Sequence, residues 1–432
     1  MEILHIALYI FYLALFLWLI SRLNFFTSTG LQRDNLWTFF LLKVVAGVAL
    51  TLVYTVYYTD QSKADIYRYF NDSKVISPLL WQHPKVWFSV ITGIGLNNPE
   101  NFQYIVNTQY FSHPSQDTVT NNQLIIRLIS ICNYFSFSNI YINTLFFSFF
   151  SFVGLTGIYH ALKKYFAEFP QALCLPLFLI PSVIFWGSGL LKEAPVFFFL
   201  GLFFYAFTPR SWVGRIIMLA VSVLALVYIR PPLFIALVPA VAAYLLFYVL
   251  KAIAKPSIKW MVFAALLIVY GFGFMVAQPK VISAVIDKRY EFIELGRAEN
   301  PGSRFAVWTD AISPKMLYTD AFVDGALRPF IWSAANKIEL LFGIEQSLLW
   351  LFILFLLLRY FKLPEAEKRP IIAFSLVFAL VFYWIVGASV PIMGAIVHYR
   401  VLATPFLLIS ILGVVNLCKF KYDVNRLTGL KI

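Results

Sequence analysis

Residues 212–250 read WVGRIIMLAVSVLALVYIRPPLFIALVPAVAAYLLFYVL, two apolar runs joined by Arg230-Pro231-Pro232, with Arg215 and Arg230 as their only charges. A helix needs about 20 apolar residues to cross the hydrocarbon of a bilayer, and a Pro-Pro pair cannot continue one. The stretch therefore predicts two spanning helices and a tight turn. Further runs of this kind lie at roughly 4–20, 36–57, 141–160, 171–186, 194–208, 259–277, 345–361, 371–388 and 395–417. The stretch 123–137 is apolar but short and carries Arg127 and Asn133, which predicts an interfacial or re-entrant helix, a twelfth span being the other reading. The expectation is an all-α polytopic transmembrane bundle of about eleven spans, within about 10–13. It forms a single integral membrane domain over 1–432, with two large external loops, 58–122 and 278–344, that carry short helices.

Composition agrees. The chain is 61% hydrophobic and 13% charged, where a soluble domain is near half apolar and a quarter charged. The net charge of +13 comes from Lys and Arg spread through short loops, which fits membrane orientation and anionic lipid rather than nucleic acid. Cys132, Cys174 and Cys418 are far apart, and no CxxC or HxxxH spacing occurs, so no cofactor is implied and a divalent metal has no support from spacing. The run from Leu4 to Ile20 lacks a basic segment and a small-residue cleavage site, so it reads as a retained helix.

Orientation follows from the basic residues. Arg22 and Arg33, Lys163 and Lys164, Arg210 and Arg215, Lys251, Lys255 and Lys259, and Arg359, Lys362, Lys368 and Arg369 fall in alternate connections nearly free of acids. The tail, with Lys419, Lys421, Arg426 and Lys431, belongs with them. These are expected on the cytoplasmic side, with the amino terminus and both long loops outside.

Four polar groups then need a reason at the outer ends of helices. The loop YYTDQSKADIYRYFNDSK holds Asp60, Asp65, Arg68 and Asp72, and as a helix it puts Asp65, Arg68 and Asp72 on one face. Asp60 sits where an apolar helix surfaces, and partial desolvation there makes a carboxylate more basic. In PSVIFWGSGLLKEAPVFFFLG, Lys192 and Glu193 follow a Gly-Ser-Gly break in an otherwise apolar region. Embedded charges of this kind usually face a bundle interior or wet cavity, although Lys192 could simply snorkel to headgroups. Arg230 is the third group; alone it would be an interfacial anchor. The fourth comprises Arg297, Arg304, Asp310 and Arg328 in the long loop, with His398 and Arg400 at the start of the last span.

Arginine offers a planar fork suited to phosphate and diphosphate, so such a wall would hold the head of a polyprenyl-linked sugar donor. Transfer to a glycan or lipid acceptor then needs a carboxylate to take the hydroxyl proton. Trp81, Trp87, Tyr104, Tyr110, Trp308 and Trp332 would stack on sugars, or else form the interfacial belt.

The whole chain resembles the bacterial membrane proteins grouped near the GT-C glycosyltransferases and cell-surface polysaccharide polymerases. The likeness lies in the acidic loop from Asp60 to Asp72, FWGSGLLKEA at 185–194, IRPP at 229–232, ALRPF at 326–330 and HYRVLATPF at 398–406. It implies an essential acid at Asp60 or Asp65, lipid-phosphate sugar donors, and a site at the outer face of a bacterial cytoplasmic membrane. Lys192, Glu193, Arg230, Arg297, Arg304, Arg328, His398 and Arg400 would bind substrate. The acidic loop follows the second span rather than the first, and the paired DD or DxD form is absent. Two other readings stand beside this one: a transporter or flippase of lipid-linked glycans, and a non-catalytic partner in envelope assembly. A transporter should carry charge into the cytoplasmic half of the bundle, where Lys43 is nearly alone.

With the native thiols removed, single cysteines at Ser115 and Ser303 should react with a membrane-impermeant maleimide in intact cells. Reaction only after the cells are opened would reverse the orientation.

Overall fold

The computed structural model describes residues 2–57, 64–96, 98–111, 121–208, 211–252, 280, 282–294, 320–334 and 336–428. Asp60, Arg297, Arg304 and the expected span 259–277 lie outside the described residues, as do Ser115 and Ser303. The described chain is helical, without strands. It divides into two compact units, 1–162 with 177–231, and 163–176 with 232–432.

The first unit contains α1 (Glu2–Arg22), α2 (Arg33–Tyr57), α3 (Asp65–Ile76), α4 (Pro84–Thr92), α5 (Asn121–Ser136), α6 (Ile140–Leu162), α7 (Pro181–Trp186), α8 (Glu193–Tyr205) and α9 (Trp212–Ile229). Most of α6 is buried, because it is apolar on every side, and α1, α2, α5 and α8 pack around it. The closest approach is between α6 and α8. A Cβ at Gly154 would fall on the Phe197 carbonyl, and one at Gly201 on the backbone of Gly154. Small residues allow this backbone contact, which drives helix association where lipid supplies no hydrophobic force.

The second unit contains α10 (Pro231–Ala252), α11 (282–294), α12 (Ala321–Leu327), α13 (Lys337–Tyr360), α14 (Arg369–Ser389), α15 (Met393–Arg400), α16 (Thr404–Gly413) and α17 (Leu417–Thr428). Here α14 is central, against α12 and α16. The contact again rests on glycine: a Cβ at Gly325 would strike the Tyr383 carbonyl, and one at Gly387 the Ala321 carbonyl. Near the start of α14, Lys368 pairs with Glu168 at 2.6 Å and Glu367 pairs with Lys251. Arg359, at the end of α13, meets Asp423 of α17 at 3.3 Å. The few acids in these basic connections are thus matched to the cations of their neighbours.

Among the described residues, seven helices are long and apolar enough to cross a membrane: Ile3–Arg22, Arg33–Val56, Ile140–Phe166, Trp212–Ile229, Pro231–Lys251, Lys337–Tyr360 and Arg369–Ser389. The pair α15 and α16, bent by 50°, makes an eighth if counted as one span. Their surfaces suit lipid, since Leu4, Ile6, Ile10, Phe11 and Trp18 of α1 are all exposed, a patch that water would not tolerate. Two expected spans take another form. The run 171–186 is a 3-10 turn, a π turn and then α7, because Pro170, Pro176 and Pro181 each remove a backbone donor. The run 194–208 is the 13-residue α8, and α5 is a 16-residue helix with a polar buried face. Conversely, α13 begins eight residues earlier than 345, because the Asn336 side chain accepts from Glu339 N at 2.8 Å and caps it.

Gly201→Val should separate α6 from α8 and lower the unfolding midpoint in detergent by an amount corresponding to about 1–3 kcal/mol or more. Gly394→Ala, at a site with nothing within 4 Å of the added carbon, is the control. Equal midpoints for the two variants would show that the close crossing is not needed.

Candidate functional site

The broken segment before α8 is built from backbone that no longer bonds along a helix. The Gly187 carbonyl accepts from Lys43 Nζ at 3.0 Å, and the Ser188 carbonyl from Ser148 Oγ at 2.7 Å. Lys43, fully buried midway along α2, therefore serves this break. The chain then enters α8 with Lys192 half-buried at its N-cap and Glu193 in its first turn. Glu193 is 0% exposed and pairs with the guanidinium of Arg230, which is 7% exposed and caps the end of α9. The negative group also complements the positive end of the α8 dipole. Lys192, Glu193 and Arg230 are thus brought to one end of α8 and α9, with Arg230 engaged by a carboxylate.

In α3 the expected shared face is present. Asp72 accepts from the Gln109 and Tyr110 amides at 2.9 and 3.0 Å, which spends both oxygens on holding the 109–110 segment. Burial pushes the Asp72 carboxyl up, while the two amides and Arg68 act against this. Burial also raises the Tyr110 phenol, helped by Asp65 and Asp72, whereas Arg68 opposes it both by its charge and by a hydrogen bond. Asp65 is half-buried at the start of the helix, where its charge acts on the Tyr110 phenol. Asp72 is a structural clamp.

The second unit gathers its own cluster at the end of α14 away from Lys368. Asp324 of α12 pairs with Arg328 at 2.7 Å. Arg400, 4% exposed, donates to the Arg328 carbonyl and faces Tyr383 and Glu345. Arg289 of α11 donates to the Ala388 carbonyl at 3.3 Å and also faces Asp324. The Ala326 carbonyl accepts from Gln346 Nε2 at 2.6 Å and Trp350 Nε1 at 3.1 Å. Arg328 and Arg400 are therefore adjacent. His398 is half-buried on α15, its ring 5.2 Å from that of Tyr399. Sequence reasoning missed Arg289 and Glu345. Arg289 is one basic residue among several in a long polar segment, and Glu345 lies just inside an apolar run.

No family model matches the chain, and it has no detectable match among curated proteins or solved structures. The described residues are helical, with seven or eight helices among them fit to cross a membrane, consistent with a multi-pass membrane protein. Charged clusters are buried where those helices break or end.

The Glu193–Arg230 pair gives a direct test. Removing one partner of a buried ion pair commonly destabilises by about 3–5 kcal/mol, whereas replacing both by apolar groups is often neutral. Glu193→Leu and Arg230→Met should each lower the unfolding midpoint, and the double variant should recover most of the loss. Additive losses would mean that the two side chains act separately.

Proposed function

We propose that this protein is a membrane glycosyltransferase or polysaccharide polymerase acting on polyprenyl-(di)phosphate-linked sugars at the outer face of a bacterial cytoplasmic membrane. In this reading the amino terminus lies outside, the carboxyl terminus is cytoplasmic, and the acceptor is a glycan or lipid. The observation that carries it is the burial of Glu193 and Arg230 in one apolar bundle, and of Asp324 and Arg400 beside the half-buried Arg328 in the other, at helix breaks and ends. Ionisable residues in such surroundings are expensive, and they usually mark a substrate path or site.

In this reading the cations for the donor phosphates are Lys192 and Arg230 in the first unit and Arg328 and Arg400 in the second, with Arg297 and Arg304 added from the long loop. Glu193 holds Arg230 in place, and His398 would orient the neighbouring Arg400. The acceptor hydroxyl attacks the anomeric carbon, Asp60 takes its proton, with Asp65 as the second choice, and the lipid (di)phosphate leaves. A guanidinium already paired with a carboxylate presents its remaining N–H edge, so the acids position the forks rather than silence them.

A second reading has its own support. A buried lysine donating to the carbonyl end of a broken helix, as Lys43 does at Gly187, resembles the cation sites of discontinuous helices in transporters. Flipping of a lipid-linked glycan without sugar transfer would favour it.

Asp60→Asn and Asp65→Asn, in purified and lipid-reconstituted protein, separate these cases. Loss of the true base should reduce transfer by about 100-fold or more, with donor binding little changed. Full transfer in both variants would remove the base from this loop.

A further inference from the structure

Helix α5 carries a row of buried polar side chains, Gln123, Arg127, Ser130 and Asn133, at the spacing of one helix face. One end of this row is fully satisfied. Asn133 donates to Ser73 Oγ at 3.0 Å and accepts from Asn143 Nδ2 at 2.7 Å, and Ser130 Oγ donates to the Arg127 carbonyl at 2.8 Å. At the other end, Arg127 is 7% exposed, and its Nε and Nη2 have no hydrogen-bond partner among the described residues. Those two N–H groups point the same way and form one edge of the planar guanidinium, the edge that takes two oxygens of an oxyanion side by side.

The described surroundings supply that edge with no acceptor. The Phe111 ring centre lies 5.9 Å from the guanidinium carbon, and Tyr228 of α9 also interacts with it. Gly93, which ends α4 at φ +80°, faces Nη2, and a Cβ there would come within 3.5 Å of it. Asp72, which holds the Gln109 and Tyr110 amides, is not among the groups whose charge acts on Arg127. One turn before Arg127, Gln123 donates its amide to the Tyr110 carbonyl at 3.1 Å, leaving Oε1 buried without a donor among the described residues. A guanidinium withdrawn from water with an edge unpaired is costly, and so is a buried acceptor with no donor; one ligand carrying an oxyanion and a hydroxyl relieves both.

We propose that the Nε/Nη2 edge of Arg127 binds the phosphate oxygens of a sugar phosphate, free or lipid-linked, with Gln123 Oε1 accepting from a sugar hydroxyl. The site stands on this geometry and does not depend on the transfer reaction proposed above.

The test is equilibrium binding to the full-length protein in detergent, using inorganic phosphate, glucose 1-phosphate and farnesyl phosphate, with glucose and farnesol as uncharged controls. Wild type should bind glucose 1-phosphate and neither control. Arg127→Gln and Arg127→Met should bind at least 10-fold more weakly, and Arg127→Lys should fall between. Without ligand, Arg127→Met should unfold at the same temperature as wild type or higher, because it removes an unpaired buried charge. A purely structural arginine would give the reverse, a lower midpoint with binding intact in the folded fraction, and this would overturn the proposal. Binding of glucose 1-phosphate supports the site, a free ligand if it binds alone and a lipid-linked one if farnesyl phosphate binds as well; binding of farnesyl phosphate or inorganic phosphate without glucose 1-phosphate would overturn the sugar contact at Gln123. If Arg127→Met does not fold, Arg127→Lys and Arg127→Gln decide the matter. Wild type that binds none of the phosphates, or a folded Arg127→Gln that binds as well as wild type, would end it.

Discussion

A carbonyl oxygen released by a broken helix has no water to turn to inside a bilayer, and much of this structure answers that constraint. Gly187 is met by Lys43, Ser188 by Ser148, Ala326 by Gln346 and Trp350, Arg328 by Arg400, and Ala388 by Arg289. The breaks and the buried cations are therefore one phenomenon. Prolines and glycines interrupt the helices, and long basic side chains reach across from neighbours to close the gaps. A site composed this way is held by main chain, which moves less than side chain.

The glycine crossings make the reach possible. Where α6 and α8 touch at Gly154 and Gly201, and α12 and α14 at Gly325 and Gly387, the backbones lie too close for any side chain between them. Each crossing belongs to a helix that also carries an acid of the ionic cluster: Glu193 opens α8, and Asp324 precedes Gly325. The contact of backbones thus sets where the acid stands, and the arginine follows.

The sequence was most legible where hydropathy alone decides, as in α1, α2, α6, α9, α10, α13 and α14. It was least legible at 170–192, where composition stays apolar while the prolines change the geometry. Helix α13 began upstream of its apolar run because a polar first turn with an Asn cap carries no hydropathy signal. The residues Lys192, Glu193, Arg230, Arg328 and Arg400 could be picked out as charges in apolar company. Their pairing could not be, because Glu193 and Arg230 stand 37 positions apart and nothing in either segment names the other. Asp72 looked equivalent to Asp65 in spacing, and only the approach of the 109–110 amides separates them.

The pairs near the start of α14 lie partly in solvent, with Glu367 70% and Arg359 55% exposed at their side chains, whereas Asp324 at the other end is 4% exposed. Mobile ions screen the first kind of contact over about 8–10 Å at ordinary ionic strength and hardly reach the second. The second unit is consequently stiff at one end and adjustable at the other. Salt loosens the connections among the loops while the cluster around Arg328 and Arg400 keeps its geometry.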